Sequence, residues 1–179
     1  MLKKIILASM LILASVNVYA EEEHPLGNIT GTNIEMKFYD HAFAGAINGA
    51  VAWGFLDEGT FKSELKLRKY GQTINANFEM NASKKLVGTI SSIGEDSGDH
   101  VTTLSVLGVN TKESQITLKI NDETIVMSIT ADKFENNHFF NPTYKTTYKG
   151  QEISYHLEGK ACYGVSSHFA LLILGAYIH

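Results

Sequence analysis

Histidine has the widest chemical range of the residues in this sequence, because imidazole binds metals and transfers protons near neutral pH. Seven histidines are present, at positions 24, 41, 100, 138, 156, 168 and 179. None is spaced as His-x-His, His-x-x-x-His or HExxH, so the sequence holds no local metal-binding motif. The closest grouping is Glu152, His156 and Glu158, which we interpret as the solvated face of one strand. We therefore predict no metal and no cofactor.

The segment Gly164–His168, Gly-Val-Ser-Ser-His, partly matches the Gly-x-Ser-x-Gly turn that presents the nucleophile of α/β hydrolases. Position 168 is His rather than Gly, and no Asp or Glu follows Glu158. The order of nucleophile, acid and histidine in such enzymes is therefore missing, and we interpret this segment as a turn. A hydrolase-type enzyme with a dispersed His/Asp/Glu site stays as an alternative to the non-catalytic protein that we favour.

Aromatic residues cluster between positions 134 and 148, around Asn136-Asn137-His138 and Asn141-Pro142. A loop that carries rings, amides and an imidazole can stack on sugars or contact a partner protein. The alternative is that these rings plug one end of a β-barrel. We predict that the residues that bind a ligand or partner are Phe134, His138, Phe139, Phe140 and Tyr144.

Most of the chain after Asn28 alternates apolar and polar residues with period two, which indicates strands with one buried face. In residues 61–68, an apolar or small residue alternates with Lys62, Glu64, Lys66 and Arg68. Residues 116–129 form two alternating runs around Asn121-Asp122, which predicts a hairpin. We predict an all-β, single-domain antiparallel β-sandwich or β-barrel, with room for one short helix.

Two segments are apolar at nearly every position and do not alternate. Residues 41–56 predict one central strand, with Phe43, Gly45, Ile47, Gly49, Val51, Trp53 and Phe55 on one face. A short buried helix, which its glycines would make costly, is the alternative for this segment. Residues 169–178 predict a last strand that is buried on both faces. The Leu and Ala content of residues 169–178 leaves a short buried helix that ends at Gly175 as the alternative there.

The N-terminus has the pattern of a secretory signal peptide. Lys3 and Lys4 precede an apolar run, Val18-Tyr19-Ala20 fits a peptidase site, and three glutamates follow. We predict a cleaved bacterial signal peptide over residues 1–20, a flexible acidic N-terminus over 21–27 and one β-rich domain over 28–179. The predicted location is the periplasm or the cell exterior.

Composition and charge exclude some partners. The chain carries 15 Lys and Arg against 19 Asp and Glu, and loss of Lys3 and Lys4 makes it more acidic. This balance disfavours nucleic acid and anionic membrane surfaces, which select basic proteins. We therefore predict an exported β-domain that binds a small ligand, a glycan or an envelope protein without catalysis and without stable membrane insertion. A small outer-membrane β-barrel is the further alternative.

Overall fold

A computed structural model describes residues 26–57, 59–69, 71–94 and 97–178 of the chain. The predicted signal peptide, residues 1–20, and residues 21–25 of the predicted acidic N-terminus lie outside these ranges. The strands are β1 Gly27–Gly31, β2 Ile34–Phe38, β3 Ala42–Ile47, β4 Ala50–Asp57, β5 Lys62–Lys69, β6 Gln72–Met80, β7 Leu86–Gly94, β8 Ser97–Asn110, β9 Gln115–Ile120, β10 Glu123–Thr130, β11 Lys133–Glu135, β12 His138–Phe140, β13 Thr143–Tyr148, β14 Gln151–Leu157 and β15 Lys160–Cys162. One helix, α1, covers Tyr163–Ile178.

In the described part of the chain, twelve strands close into one antiparallel barrel, in the order β1-β14-β13-β10-β9-β8-β7-β6-β5-β4-β3-β2. The seam is the pairing of β1 with β14, where Ile29 faces Leu157. The predicted all-β antiparallel fold with one helix is confirmed, and of the two predicted architectures the barrel is the one formed. Closure removes the unpaired edges that an open sheet would expose.

The alternation in the sequence decides which side chains enter the barrel. On β5, Ser63, Leu65 and Leu67 are buried, while Lys62 and Arg68 lie on the outside. The same rule holds on β9, where Ile116, Leu118 and Ile120 face inward. The interior is therefore apolar, whereas the exterior carries charged side chains such as Lys62 and Arg68 together with exposed apolar residues such as Val51 and Val126.

The prediction of a single strand over residues 41–56 is wrong. Asn48 and Gly49 have positive φ angles of 51° and 74° and form a two-residue turn between β3 and β4. Asn-Gly is the favoured sequence for such a turn because both residues adopt positive φ at low cost. The turn also changes the alternation, so Phe43 is buried whereas Trp53 faces outward.

The prediction of a last strand over residues 169–178 is also wrong, because these residues belong to α1. The helix contacts β3, β5, β6, β7 and β8, its Ser166 hydroxyl lies 2.7 Å from that of Tyr144 on β13, and Val165 to Ala176 are buried without interruption, so it lies inside the barrel. Its 16 residues correspond to a length of ~24 Å, close to the ~26 Å of an eight-residue strand such as β4. The helix therefore runs through the barrel from end to end.

A helix is the physically reasonable structure for this position. A strand in the middle of a closed barrel would have no neighbour to pair with, whereas a helix satisfies its backbone hydrogen bonds internally. The helix begins beside Cys162, whose sulfur accepts a hydrogen bond from the Val165 amide at 3.5 Å. At its other end the Tyr177 hydroxyl donates to the Thr32 carbonyl in the turn between β1 and β2.

A second sheet, β11-β12-β15, lies where the helix starts. Its strands pair Phe134 with Phe139 and Phe139 with Ala161, and β15 continues directly into α1. This sheet ties the segment between β10 and β13 to the beginning of the helix. Among the described residues, no helix combines the length and the hydropathy needed to cross a bilayer.

Candidate functional site

The predicted binding residues fall into a buried group and a partly exposed group. Phe139 and Tyr144 are 2 % and 0 % exposed, so they belong to the core. Phe134 is 48 % exposed, while His138 and Phe140 are partly buried. Binding by these residues stays a prediction, and only the three in the second group offer surface to a partner.

The rings of this cluster support the beginning of α1. Phe139 packs edge-on against Tyr163 with ring centroids 4.7 Å apart, and Phe134 lies 5.9 Å from the same ring. Phe140 is covered by Lys133, whose Nζ lies 4.3 Å from the ring centroid. Phe139 is thus a buried residue of the second sheet that contacts the first residue of α1.

Two hydrogen bonds link polar residues of α1 to the barrel wall. The Tyr144 and Ser166 hydroxyls are 2.7 Å apart, and burial raises the pKa of Tyr144 above its ordinary range. His168 Nδ1 lies 2.7 Å from the Ser63 hydroxyl on β5. These contacts fix the position and rotation of the helix because a buried polar group must be paired.

His168 is unusual in its burial. Its side chain is 2 % exposed, and Nε2 has no hydrogen-bond partner among the described residues. Burial lowers the pKa of His168 from 6.5 to about 4, so the imidazole is neutral at physiological pH. Although Ser63 and His168 resemble two parts of a catalytic triad, no described carboxylate contacts the imidazole.

We name the first of two cavities the helix-start cavity. It has a volume of about 250 Å³ and lies where the first turns of α1 face β8 and the loop between β6 and β7. Leu86 and Val106 are among the apolar residues that line it, and Ser167 and His168 line it from the helix. Lys84 and Lys85 are exposed residues at its opening.

We name the second the helix-end cavity. It has a volume of about 740 Å³ and is lined by Tyr177 at the other end of α1. Its apolar lining comes from Ile47, Leu67 and Ile74, which point into the barrel. Its polar side chains are four carboxamides, Asn33, Asn48, Gln72 and Gln151, and Tyr177, whose hydroxyl donates to the Thr32 carbonyl. Among the residues that the structure describes, none of those lining this cavity is charged.

A polar groove of about 390 Å³ lies on the outside of β1 and β14 and contains Asp132, His156 and Glu158. We name it the acidic groove. Each of the three side chains has a neutral partner: Asn141 donates to Asp132, Asn28 donates to Glu158, and Thr143 bonds His156. No group of three metal-ligating residues close enough to hold an ion is present in the described part of the chain.

The outer face of β3 and β4 is apolar. Val51, Trp53 and Phe55 are 61 %, 39 % and 41 % exposed, and they pair with Ala46, Ala44 and Ala42 of β3. Charged residues border this face on both sides, with Lys37 on β2 and Lys66 on β5. A contiguous apolar face of this kind is uncommon on a surface that meets only water.

Sequence reasoning missed both cavities. The helix-end cavity is formed by residues from β-turns, strand ends and α1 that lie as far apart in the chain as Asn33 and Tyr177, and no local pattern connects them. The helix-start cavity depends on α1 being a helix, which the apolar run did not reveal. The position of His168 next to an apolar run was a usable indication, because a histidine there is expected either to be exposed or to have a specific hydrogen-bond partner.

Comparison with known proteins gives no relative from which a role could be transferred: no family profile, no curated protein and no solved structure matches the chain significantly.

Proposed function

We propose that this chain is an exported, non-catalytic binding domain that holds an uncharged, hydroxyl-rich ligand such as an oligosaccharide in the helix-end cavity. The observation that carries the proposal is the set of four carboxamides above an apolar floor, without a described charged side chain in the lining. Carboxamides both donate and accept hydrogen bonds, as sugar hydroxyls do. The cavity volume of about 740 Å³ falls in the ~300–1,000 Å³ range of ligand pockets.

The position of the helix also supports this proposal. In many barrels the ligand enters the interior, but here α1 occupies the interior and its side chains are buried on all sides. A ligand is therefore left with the barrel ends and the outer surface. The helix-end cavity is the largest of the sites described above, and its walls come from strand ends, from β-turns and from the last turn of α1.

The outer charges support an aqueous rather than a lipid environment. Lys62 and Lys66 keep 59 % and 44 % of their side-chain surfaces exposed on the outside of β5. A lysine that faces lipid at the bilayer midplane costs ~2–4 kcal/mol. We therefore place the protein, as part of the proposal, in the bacterial periplasm or outside the cell, in agreement with the signal-like N-terminus.

A glycan array followed by NMR titration tests the ligand class. We expect neutral oligosaccharides to bind and to shift the amide signals of Gln72, Gln151 and Tyr177. The double substitution Gln72→Leu/Gln151→Leu should weaken binding about tenfold or more, because two side-chain hydrogen bonds are lost. Asn77→Leu is the matched control, since Asn77 is an exposed carboxamide on the same strand, outside the cavity.

Two results would contradict the proposal. One is an array without any bound neutral oligosaccharide, and the other is binding that the double substitution leaves unchanged. If the shifted signals instead map to Phe134, His138 and Phe140, the aromatic cluster is the binding surface. That cluster remains a proposed contact for an envelope partner.

The acidic groove favours a hydrolase as the second candidate function. Asp132, His156 and Glu158 bring two carboxylates and an imidazole to one concave surface, which is the residue set that acid–base catalysis requires. Turnover of chromogenic esters or glycosides that is lost in His156→Gln, but kept in Gln72→Leu/Gln151→Leu, would favour the enzyme. Activity that the His156→Gln substitution does not reduce would exclude this groove as its source.

A further inference from the structure

We propose that the helix-start cavity is a second binding site, which takes a small organic acid with an apolar body and a hydroxyl or carbonyl group at the end opposite its carboxylate. The body would lie against Leu86 and Val106, the far polar group would bond His168, and the carboxylate would face Lys84 and Lys85. This inference does not depend on the proposed function, because the two cavities lie at opposite ends of α1.

The polar contact comes from His168. The Ser63 hydroxyl occupies Nδ1 at 2.7 Å, which leaves Nε2 as the ring nitrogen for a ligand. A buried nitrogen without a hydrogen-bond partner destabilises the fold, and a ligand hydroxyl or carbonyl would remove that cost. The lowered pKa of about 4 keeps the ring neutral, so it suits an uncharged polar group rather than a carboxylate.

The apolar part of the site is shaped by a β-bulge in β8. The register between β8 and β9 shifts between Val106 and Gly108, so Leu107 is the extra residue. A bulge reverses the alternation that follows it, which brings Val109 to the same side as Val106. Both line the cavity, and Val109 keeps 40 % of its surface exposed at the rim.

Phe61 completes the rim from the loop before β5. Its φ of 52° is uncommon for a bulky residue, and its side chain stays 44 % exposed beside the cavity. Such a conformation has a cost and persists only where the surroundings enforce it. Here the ring lies over Gly164, because a Cβ added to Gly164 would meet Phe61 at 3.7 Å. The ring is thus placed to cover a bound apolar group.

The charge and size of the opening select the ligand class. Lys84 and Lys85 are the charged residues among those that line the cavity in the described chain, and both are basic. The volume of about 250 Å³ lies below the ~300–1,000 Å³ typical of drug-sized ligands, which limits the ligand to one ring or a short chain. A monohydroxylated aromatic acid has the carboxylate that faces the lysines, the small apolar body that the volume allows and the far hydroxyl that bonds His168.

The test uses three probes with the purified protein labelled with ¹⁵N-histidine. They are 4-hydroxyphenylacetate, its neutral analogue 4-hydroxyphenylethanol, and phenylacetate, which lacks the far hydroxyl. We expect 4-hydroxyphenylacetate to shift the imidazole nitrogens of His168, which His168→Phe identifies by the loss of their signals. Phenylacetate should bind about tenfold more weakly, because the hydrogen bond to Nε2 is missing.

Two surface variants locate the site without disturbing the core. Val109→Phe should abolish binding, because Val109 lies at the rim on the cavity side of β8 and a larger ring there would fill the opening. Val109→Ala is its control and should keep binding, since it leaves the opening free. The double substitution Lys84→Gln/Lys85→Gln should weaken binding of 4-hydroxyphenylacetate about tenfold and leave binding of 4-hydroxyphenylethanol unchanged. The control Lys145→Gln, on the outside of β13, should change neither affinity.

The proposal requires the expected result for the His168 signals, for the rim variant and for the lysine variant together. His168 imidazole signals that do not move with millimolar 4-hydroxyphenylacetate would overturn it, and so would equal binding by Val109→Phe and the wild-type protein. If Lys84→Gln/Lys85→Gln weakened binding of the acid and of the neutral analogue equally, the charge of the lysines would not select the ligand. None of these outcomes bears on the helix-end cavity, whose variants lie on other strands.

Discussion

At the scale of single residues, His168 combines burial with a titratable group. The imidazole is 2 % exposed and bonds Ser63, and its pKa is lowered from 6.5 to about 4 because burial penalises the charged form. In the unfolded chain the same histidine has a pKa near 6.5. Below that pH the imidazole binds a proton in the unfolded state but stays unprotonated in the folded state. Lowering the pH therefore destabilises the fold through this residue.

We expect the free energy of unfolding to fall as the pH is lowered from about 6.5 to about 4, and to be unaffected by His168 above that window. The full difference corresponds to about 3 kcal/mol. Denaturant titrations at a series of pH values check this, with His168→Phe expected to lose that part of the slope. Ser167→Ala, a buried change on the same helical turn without a titratable group, should retain it. An identical slope in His168→Phe and wild type would contradict the lowered pKa.

The candidate residues show how far sequence reasoning reaches at this scale. The strand alternation correctly placed Leu65 and Leu67 inside, because a period of two is a local property. It could not distinguish Tyr144, which is stacked on Tyr155 at 4.5 Å, from the exposed Phe134. Both are aromatic residues in a loop-rich segment, and their burial is decided by distant strands.

At the scale of elements, α1 shows why a uniformly apolar segment is ambiguous. Neither a period of two nor one of 3.6 is visible when every side chain is buried, so the sequence of residues 169–178 does not distinguish a strand from a helix. The closed barrel decides, because its interior offers no free strand edge. Gly175 and Ala176 continue the helix instead of ending it.

The fit of α1 to the barrel wall can be measured at Gly175. A Cβ added there would overlap the Cδ1 atom of Ile90 on β7, which is itself fully buried. We expect Gly175→Ala to destabilise the fold by ~1–3 kcal/mol, despite the higher helix propensity of alanine, because the packed interior has no room for the methyl group.

Ile90→Val removes the overlapping atom and should therefore rescue Gly175→Ala. Denaturant unfolding of the two single variants and the double variant gives the coupling energy, expected at ~0.5–3 kcal/mol in the stabilising direction. Gly164→Ala is the control, since its added Cβ makes only ordinary contacts of 3.5 and 3.7 Å. Additive effects at 175 and 90 would mean that the helix does not pack against β7 as described.

The outer face of β3 and β4 gives the second prediction at this scale. Trp53 is the single tryptophan of the chain, and it lies at the centre of this apolar face with 39 % of its surface exposed. We expect acrylamide to quench its fluorescence efficiently in the isolated native protein, in comparison with N-acetyltryptophanamide. Weak quenching that persists on dilution would show that another part of the chain covers the apolar face. Quenching that falls as the protein concentration rises would show that a second copy of the chain binds this face.

At the scale of the whole molecule, the local hairpins were predictable and the closure was not. The pairing of β9 with β10 around Asn121 follows from turn residues that lie next to each other in the sequence. The seam joins Ile29 to Leu157, which are far apart in the chain, and no local pattern encodes such a pair. The strand number and the choice between barrel and sandwich depend on this seam.

The first strand of the seam lies close in sequence to the predicted cleavage site. β1 begins at Gly27, and Leu26 is bonded through its amide to the Phe38 carbonyl, so the barrel starts within seven residues of Ala20. A retained apolar leader would hold the closing strand close to a membrane.

We expect intact-mass measurement of the exported protein from a bacterial host to show a chain that begins at Glu21. Ala20→Leu places a large residue at the peptidase position and should leave an uncleaved precursor in the membrane fraction, because the enzyme requires small residues there. Glu22→Gln, two residues beyond the site, should be processed normally. An exported wild-type protein that retains residues 1–20 would refute the signal peptide, and with it the proposed location, while the barrel and both cavities would stand.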